Sequence, residues 1–204
     1  MPPRDLALVS LEWDVVDLAE SCPEFVLRGF LDPGGGRAHD LEWLGEDSNW
    51  AAVRRRWPAI QVALALDHPK TRARLFEHYG RDAIVTLQSP HAFVSPRASL
   101  GHGCVIQRGV TIMSHATLGT ACKVNLNATI HHESRLGDFC TIAPGAQILG
   151  RVGVGDRTYV GAGAVVRQGC TLGDDVIVGA GAVVVRDVPS GATVVGVPAG
   201  RRLR

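Results

Sequence analysis

A six-residue repeat of aliphatic side chains runs through the second half of the chain, from Val94 to about Val188. Every sixth position from Val94 is Val, Ile or Leu, without a slip in register: Val94, Leu100, Ile106, Ile112, Leu118, Val124, Ile130, Leu136, Ile142, Ile148, Val154, Val160, Val166, Leu172, Val178 and Val184. Four residues after each aliphatic comes a small or β-branched residue, from Ala98 to Val188. Neither an α-helix nor an ordinary strand has this period. The repeat is typical of a parallel β-helix.

The repeat predicts a triangular coil, with three short faces and eighteen residues in each turn. Aliphatic side chains fill its interior, and the small residues fit near its corners. Residues eighteen apart then stack in successive coils, separated by about 4.8 Å, the usual spacing of paired strands. By this rule Gly150 lies one coil above His132, and His115 lies one coil below Glu133.

The first 87 residues have a different pattern, in which apolar strand-like runs alternate with helix-like segments. Strands are expected at Leu6–Val9, Phe25–Asp32, Gln61–Leu66 and Ile84–Leu87, and helices at Asp14–Glu20, Asn49–Trp57 and Lys70–Tyr79. This alternation predicts a small parallel α/β domain. We therefore expect two domains, an α/β domain at residues 1–87 and an all-β helix with a C-terminal tail at residues 88–204. A last short strand is expected at Thr193–Gly196.

Composition narrows the class of protein. The chain has 204 residues, of which 46% are hydrophobic and 20% charged, and its formal net charge is +1. This balance predicts a globular protein and gives no electrostatic reason to expect nucleic acid or an anionic membrane as partner. No apolar run approaches the roughly 18 residues of a membrane span. The N-terminus does not read as a signal peptide, so we expect a cytoplasmic protein.

Four of the five cysteines occupy the small position of the repeat. Cys104, Cys122 and Cys140 are eighteen apart and are expected to stack in one column, which raises the possibility of a metal or redox site. Ala, Val and Thr fill the equivalent positions in other coils, which favours cysteine as a small apolar filler. We therefore expect no metal. Cys22 has no obvious partner, which suits a reducing compartment.

Several segments of the repeat resemble one family of enzymes. They are Asn125, the pair His132-Glu133, the run from Leu136 to Ala146 and the ending Val195-Gly196-Val197-Pro198-Ala199. They resemble the hexapeptide-repeat sugar O-acyltransferases, in particular sialic acid O-acetyltransferases and the N-acetyltransferases of nucleotide-linked amino sugars. The resemblance covers nearly the whole chain but is weak over the first 87 residues. It implies a left-handed β-helix behind a Rossmann-like domain, a homotrimer, and acetyl-CoA as co-substrate in the cleft between neighbouring helices.

The resemblance also implies a reaction, which moves an acetyl group from acetyl-CoA to an amine or hydroxyl of a sugar. Such a transfer needs a base, a donor to the oxyanion, and a site that holds both substrates together. His132 matches the family's proton acceptor, and Glu133 matches the acid that orients it. The backbone N–H of Gly150 is the expected oxyanion donor. His115 is a candidate to share Glu133 and to contact the substrate.

Other positions are assigned to substrate or cofactor by the same resemblance. Asn125 matches a position near the substrate, and Asp32 keeps the acid that follows the second strand. Thr141, Ala162 and Ala180 match contacts to the cofactor, although relatives often carry histidine at Thr141.

The segments Gly161-Ala162-Gly163 and Gly179-Ala180-Gly181 are eighteen residues apart and are expected to stack without large side chains. Such a surface suits either a long cofactor or simple packing at the corner of the coil. Arg201 is a candidate to contact the phosphates of coenzyme A. The alternative, that it belongs to a solvent-exposed basic tail, fits the sequence equally well.

The first domain departs from the family pattern. After the first strand the family has a glycine-rich loop, whereas this chain has Ser10-Leu11-Glu12-Trp13. Glu12 would repel a phosphate at that place. Leu66 replaces a glycine that usually precedes the acid after the third strand. The sequence therefore leaves open whether the acceptor is a nucleotide sugar.

Two other functions remain as alternatives. A γ-type carbonic anhydrase-like enzyme would use three histidines to bind zinc. His115, His131 and His132 are available, but their spacing does not suit that site. A non-catalytic scaffold would explain the altered first domain, whereas the intact His132-Glu133 pair argues for catalysis.

Overall fold

The computed structural model describes residues 2–35 and 40–201, with side chains as far as residue 200. The N-terminal unit is a three-stranded parallel sheet in the order β2-β1-β3, accompanied by three α-helices. Its strands are β1 (Arg4–Val9), β2 (Phe25–Leu31) and β3 (Gln61–Leu64). Its helices are α1 (Trp13–Glu20), α2 (Trp50–Arg56) and α3 (Pro69–Tyr79), with 3-10 turns at Asp47–Asn49 and Arg81–Ala83.

The last four residues of strand β1 are buried on both faces of the sheet, because helices cover both sides. Leu6 and Leu8 pack in the cluster that contains the apolar side of α1. Ala7 and Val9 point to the opposite side and pack in the cluster that contains residues of α2 and α3. Successive side chains of a strand point to opposite faces, so one four-residue apolar run serves both layers.

The expected strand at Ile84–Leu87 is wrong. Ile84 forms only an isolated parallel bridge with Val62 at the edge of the first sheet. Leu87 and Gln88 form a strand that pairs with Val105–Ile106, so they already belong to the coil. The apolar run is continuous because Ile84, Val85 and Leu87 all pack in the hydrophobic clusters of the first unit, although Leu87 already pairs with the coil.

The rest of the described chain forms three parallel sheets that enclose one core. Face 1 contains the strands Leu87–Gln88, Val105–Ile106, Lys123–Val124, Thr141–Ile142, Tyr159–Val160, Ile177–Val178, Thr193–Val195 and, antiparallel at its end, Gly200–Arg201. Face 2 contains Phe93–Val94, Thr111–Ile112, Thr129–Ile130, Gln147–Ile148, Val165–Val166 and Val183–Val184. Face 3 contains Ser99–Leu100, Thr117–Leu118, Arg135–Leu136, Gly153–Val154 and Thr171–Leu172.

Until the last strands of face 1, each strand pairs with the strand eighteen residues later, as in Thr129 with Gln147. These stacked parallel strands fit a left-handed β-helix of hexapeptide repeats. We name its corners by the faces they join. Residues 125–128 lie on corner 1–2, residues 131–134 on corner 2–3 and residues 137–140 on corner 3–1.

The aliphatic series forms the core of the coil, and the stacked cysteines lie in the same interior. Ile106, Ile112 and Ile130 are fully buried. The thiols of Cys104, Cys122 and Cys140 donate to the carbonyl oxygens of Gly119, Gly137 and Gly155 respectively, at 3.1 to 3.3 Å. The described residues contain no cluster of three or more His, Cys, Asp and Glu side chains that could hold a metal ion. No described helix is long and apolar enough to cross a membrane.

One buried arginine on α3 joins the two units. Arg72 is 1% exposed, and its guanidinium donates to main-chain oxygens of both units. The acceptors are the carbonyl oxygens of Leu66, Asp67, Ala121, Phe139 and Cys140 and the hydroxyl of Thr141, all at 2.8 to 3.1 Å. A second tie is the ion pair of Lys123 Nζ with Asp67 Oδ1 at 2.9 Å, in which Lys123 is 1% exposed. The α/β unit is thus fixed against face 1.

Replacing Arg72 with Met is expected to lower the free energy of unfolding by about 3 kcal/mol or more, because several buried carbonyl groups lose their donor. Arg74→Met, an exposed position on the same helix, is expected to change it by less than about 0.5 kcal/mol. Urea unfolding of the two variants measures both values. Equal shifts in the two variants would show that the Arg72 hydrogen bonds do not hold the units together.

Candidate functional site

Corner 2–3 carries a histidine–carboxylate pair. His132 Nδ1 lies 3.0 Å from Glu133 Oε2, and the imidazole side chain is 42% exposed. An ionised carboxylate can only accept a hydrogen bond, so the contact places the proton on Nδ1. Nε2 then keeps a free lone pair, which is the state that a general base requires.

Gly150 lies directly against this imidazole, one coil further along the axis. A Cβ atom added at Gly150 would lie 2.7 Å from His132 Nε2 and 2.8 Å from its Cε1. Only glycine therefore leaves room for the ring in this position. Among residues 2–35 and 40–201, no group accepts a hydrogen bond from the Gly150 N–H. A free backbone donor thus lies beside the unprotonated nitrogen.

Arg151 also lies close to Glu133. It was not predicted from the sequence. Its Nη1 lies 3.8 Å from Glu133 Oε2, the oxygen that also contacts His132. Arg151 follows Glu133 by eighteen residues, so the stacking rule applied upward would have found it. His115, one coil below, is exposed, and in the described structure no hydrogen bond or ion pair links its ring to Glu133. The expectation that His115 shares this acid therefore has no contact behind it within one chain and stays a prediction.

Corner 1–2 presents a row of exposed small residues. Ala162 and Ala180 are exposed, and each is followed by a glycine with positive φ, Gly163 at 64° and Gly181 at 67°. A Cβ at either glycine would meet nothing within 4 Å. Gly161, in contrast, is buried, and a Cβ there would lie 2.6 Å from Ala180 N. The exposed residues therefore form a bare groove wall, while the buried glycine serves corner packing.

The expected cofactor contact at Thr141 is wrong. Thr141 is fully buried beneath α3, and both hydrogen-bonding roles of its hydroxyl are taken. Its Oγ1 donates to the carbonyl oxygen of Asp67 at 2.6 Å and accepts from Arg72 Nη2 at 2.9 Å. The repeat places Thr141 on the outside of face 1, but the sequence alone does not show that the first unit covers it.

Asn125 faces the first unit as well. It is 2% exposed, and its Nδ2 donates to Asp67 Oδ1 at 2.9 Å. Lys123 Nζ contacts the same carboxylate oxygen. Burial opposes the ionisation of Asp67, but the Lys123 ammonium and the hydrogen bond from Asn125 outweigh it and hold the pKa of Asp67 below its usual value. Asp67 is the acid that the sequence places after the third strand, whereas Lys123 was not recognised from the sequence.

Asp32 lies at the carboxyl end of the first sheet and accepts hydrogen bonds from the neighbouring loops. Its Oδ1 accepts from the Gly34 N–H at 2.8 Å, and its Oδ2 accepts from the Leu11 N–H at 3.3 Å and the Ser10 hydroxyl at 3.4 Å. Both oxygens are thus used by the chain's own loops. Burial, with nearby carboxylates, raises the pKa of Glu12 at the start of α1.

The expected site residues lie on two different corners. His132, Glu133 and Gly150 share corner 2–3, whereas Asn125, Ala162 and Ala180 share corner 1–2. Face 2 separates the two groups within one chain. Arg201 ends the last strand of face 1, and its side chain lies outside the described residues.

The chain is similar to solved structures of sugar acetyltransferases. The family model described as bacterial transferase hexapeptide (six repeats) matches residues 151–186. No curated protein matches the chain. A single-residue variant of perosamine N-acetyltransferase from Caulobacter crescentus, in complex with CoA and GDP-perosamine, has a TM-score of 0.92 and 29% identity over 98% of this chain and 97% of that one.

Two further solved structures share the fold. The acetyltransferase domain of PglB from Neisseria gonorrhoeae, in complex with acetyl coenzyme A, has a TM-score of 0.89 and 27% identity over 98% of this chain and all of that one. WeeI from Acinetobacter baumannii has a TM-score of 0.85 at 24% identity, over 98% of this chain and all of that one.

Gly150→Ala is expected to displace the His132 imidazole, because the new methyl group would overlap the ring. The matched control is Gly153→Ala in the same coil, where a Cβ would meet only Thr171 at an ordinary 3.6 Å. Two-dimensional NMR of the histidine ring protons measures the effect, with a shift of the His132 signals expected in Gly150→Ala alone. Unchanged His132 signals in Gly150→Ala would contradict the contact.

Proposed function

We propose that this chain is a hexapeptide-repeat acetyltransferase that transfers the acetyl group of acetyl-CoA to an amino sugar, with His132 as the general base. The observation that carries the proposal is the His132–Glu133 pair with Gly150 against the ring. Perosamine N-acetyltransferase, crystallised with CoA and GDP-perosamine, supports an amino sugar as acceptor. The PglB domain, crystallised with acetyl coenzyme A, supports the co-substrate.

Acetyl-CoA fits the residues of corner 1–2. A long, flexible co-substrate needs a smooth wall, and the exposed Ala162 and Ala180, with a glycine after each, provide one. We propose that these residues hold the pantetheine arm. Bound there, acetyl-CoA supplies an activated thioester carbonyl to the reaction.

Residues of corner 2–3 carry out the proton transfers. His132 Nε2 takes a proton from the attacking amine as the new C–N bond forms, and the Gly150 N–H donates to the developing oxyanion. Glu133 stabilises the protonated ring through Nδ1. His132 then returns the proton to the departing thiol sulfur when the C–S bond breaks. Acetyl-CoA and amine are thereby converted to amide and free CoA.

We further propose that the site is completed by assembly into a homotrimer. Within one chain, the base and the groove wall lie on different corners. The outward side of face 2, which separates them, exposes Phe93 (60%), and Met113 (37%) is exposed on the adjoining corner 2–3. If face 2 lies toward a three-fold axis, corner 1–2 of each subunit meets corner 2–3 of the next. Such a heterologous contact closes as a ring.

The remaining assignments complete the proposal. The three-stranded unit is interpreted as a Rossmann-like domain that binds the acceptor at the carboxyl ends of its strands, where ligands bind in such sheets. The five cysteines are free and buried, which supports a reducing compartment and therefore the cytoplasm.

His132→Ala is expected to lower kcat by about 100-fold or more, because a general base typically contributes at least that factor. The assay is release of free thiol from acetyl-CoA in the presence of GDP-linked amino sugars. His131→Ala, the neighbouring histidine, is the control and is expected to retain the wild-type rate. Absence of acceptor-dependent thiol release from the wild type would refute the proposed function, and equal rates in His132→Ala would refute the role of His132.

The composite site predicts complementation between two inactive variants. His132→Ala removes the base, and Ala162→Trp blocks the groove wall, so each homotrimer is expected to be inactive. When the two are co-expressed, one of the three sites in each mixed ring, or about a quarter of all sites after random assembly, combines an intact base with an intact wall. Recovered thiol release in the mixture supports the composite site. No recovery in rings shown by mass spectrometry to be mixed would place the whole site within one chain.

A further inference from the structure

Asp67 has one carboxylate oxygen that the chain does not use. It follows β3 and directly precedes the N-cap residue of α3, at the carboxyl end of the first sheet. Its Oδ1 is contacted by both Lys123 Nζ and Asn125 Nδ2, each at 2.9 Å. Its Oδ2 has no hydrogen-bond or ion-pair partner in the described part of the chain, and 42% of the side chain is exposed. The contacts on Oδ1 fix the carboxylate and leave the second oxygen facing outward.

Asn125 carries a second unused acceptor beside it. The Asn125 amide nitrogen is bonded to Asp67, but its Oδ1 is buried and has no partner among the described residues. Buried polar atoms are nearly always paired, and an unpaired one costs free energy unless a donor reaches it. The cluster therefore lacks a hydrogen-bond donor, and both unused atoms are oxygens.

We propose that Asp67, fixed by Lys123 and Asn125, is an acceptor-binding residue that takes hydrogen bonds from the hydroxyl or amino groups of the sugar ring. This inference rests on the proposed function and names the part of the acceptor that is bound at the end of β3. Carboxylates and amide oxygens can only accept, so they select groups that donate.

The same edge of the sheet disfavours a phosphate at this position. Phosphate oxygens are acceptors at neutral pH, and they would face the free oxygen of Asp67 with like charge. Glu12 adds a further carboxylate at the start of α1, and the N–H of Leu11 is already bonded to Asp32. Lys123 is buried and bonded to Asp67, so it offers no free charge to an anion. The sugar ring, and not its phosphate, fits this position.

The position is also consistent with the proposed chemistry. Asn125 and His132 belong to the same coil and flank the same strand of face 2, Thr129–Ile130. In a trimer whose three-fold axis is parallel to the axis of each coil, equivalent coils of the three subunits lie at the same height. A sugar held by Asp67 of one subunit would then lie level with the imidazole on the facing corner of the next.

The test uses a double variant, because Asp67→Asn alone would leave Lys123 as an unpaired buried cation. Asp67→Asn/Lys123→Met removes both charges and keeps similar side-chain volumes. The matched control is Asp5→Asn/Arg28→Met, which removes another carboxylate–cation pair of the same sheet, Arg28 Nε to Asp5 Oδ1 at 2.7 Å. Thermal unfolding of both double variants confirms that they fold.

Calorimetric titration of the full-length protein with perosamine, GDP-perosamine and CoA measures the three dissociation constants. The double variant is expected to bind both forms of the sugar about tenfold more weakly or worse, with unchanged affinity for CoA, since a hydrogen bond to a charged group is lost. The control is expected to match the wild type for all three ligands.

Unchanged sugar affinity in the double variant would overturn the inference, as would failure of the wild type to bind either sugar, or an equal loss of CoA affinity. These outcomes are separate from the test of the proposed function. A wild type that binds perosamine through Asp67 but releases no thiol would refute the acetyl transfer and leave the binding residue in place.

Discussion

The hydrogen bonds of one buried guanidinium hold the two units of this protein against each other. Arg72 extends from α3 and donates to main-chain oxygens of two successive coils as well as to the end of β3. Strand pairing fixes the positions of these main-chain oxygens in the coil. Because the guanidinium is bonded to them, α3 is held in one position against the β-helix. The carboxyl edge of the first sheet is thereby held over corner 1–2. Asp67 meets Asn125 only because of this arrangement.

The residues proposed for proton transfer and those proposed for cofactor binding lie on different corners of the coil. Corner 2–3 holds the His132–Glu133 pair and the free N–H of Gly150, while corner 1–2 holds the wall of small residues and the contact to the first unit. A rigid coil cannot bring two corners together, since each is fixed by pairing to the coils above and below. The proposed activity therefore depends on a neighbouring subunit, and the exposed Phe93 on the intervening face and Met113 on the adjoining corner supply an apolar surface for it.

Periodicity predicts the coil well because each aliphatic obeys the same local rule. It also places Gly150 against His132, since stacking needs no knowledge of the rest of the fold. Arg72 and Lys123 were unpredictable for the opposite reason. Charged residues at outward positions are expected in solvent, and only the docking of the first unit, a tertiary event, buries them. Thr141 was misassigned for that same reason, because the repeat shows which residues point outward but not which face is covered.

A crystal structure of the protein with bound CoA tests the composite active site most directly. The account predicts a trimer in which the thiol lies within hydrogen-bonding reach of His132, about 3 Å, and the pantetheine arm follows Ala162 and Ala180 of the neighbouring subunit. CoA bound on a single corner of one chain, with its thiol remote from every His132 in the assembly, would contradict it.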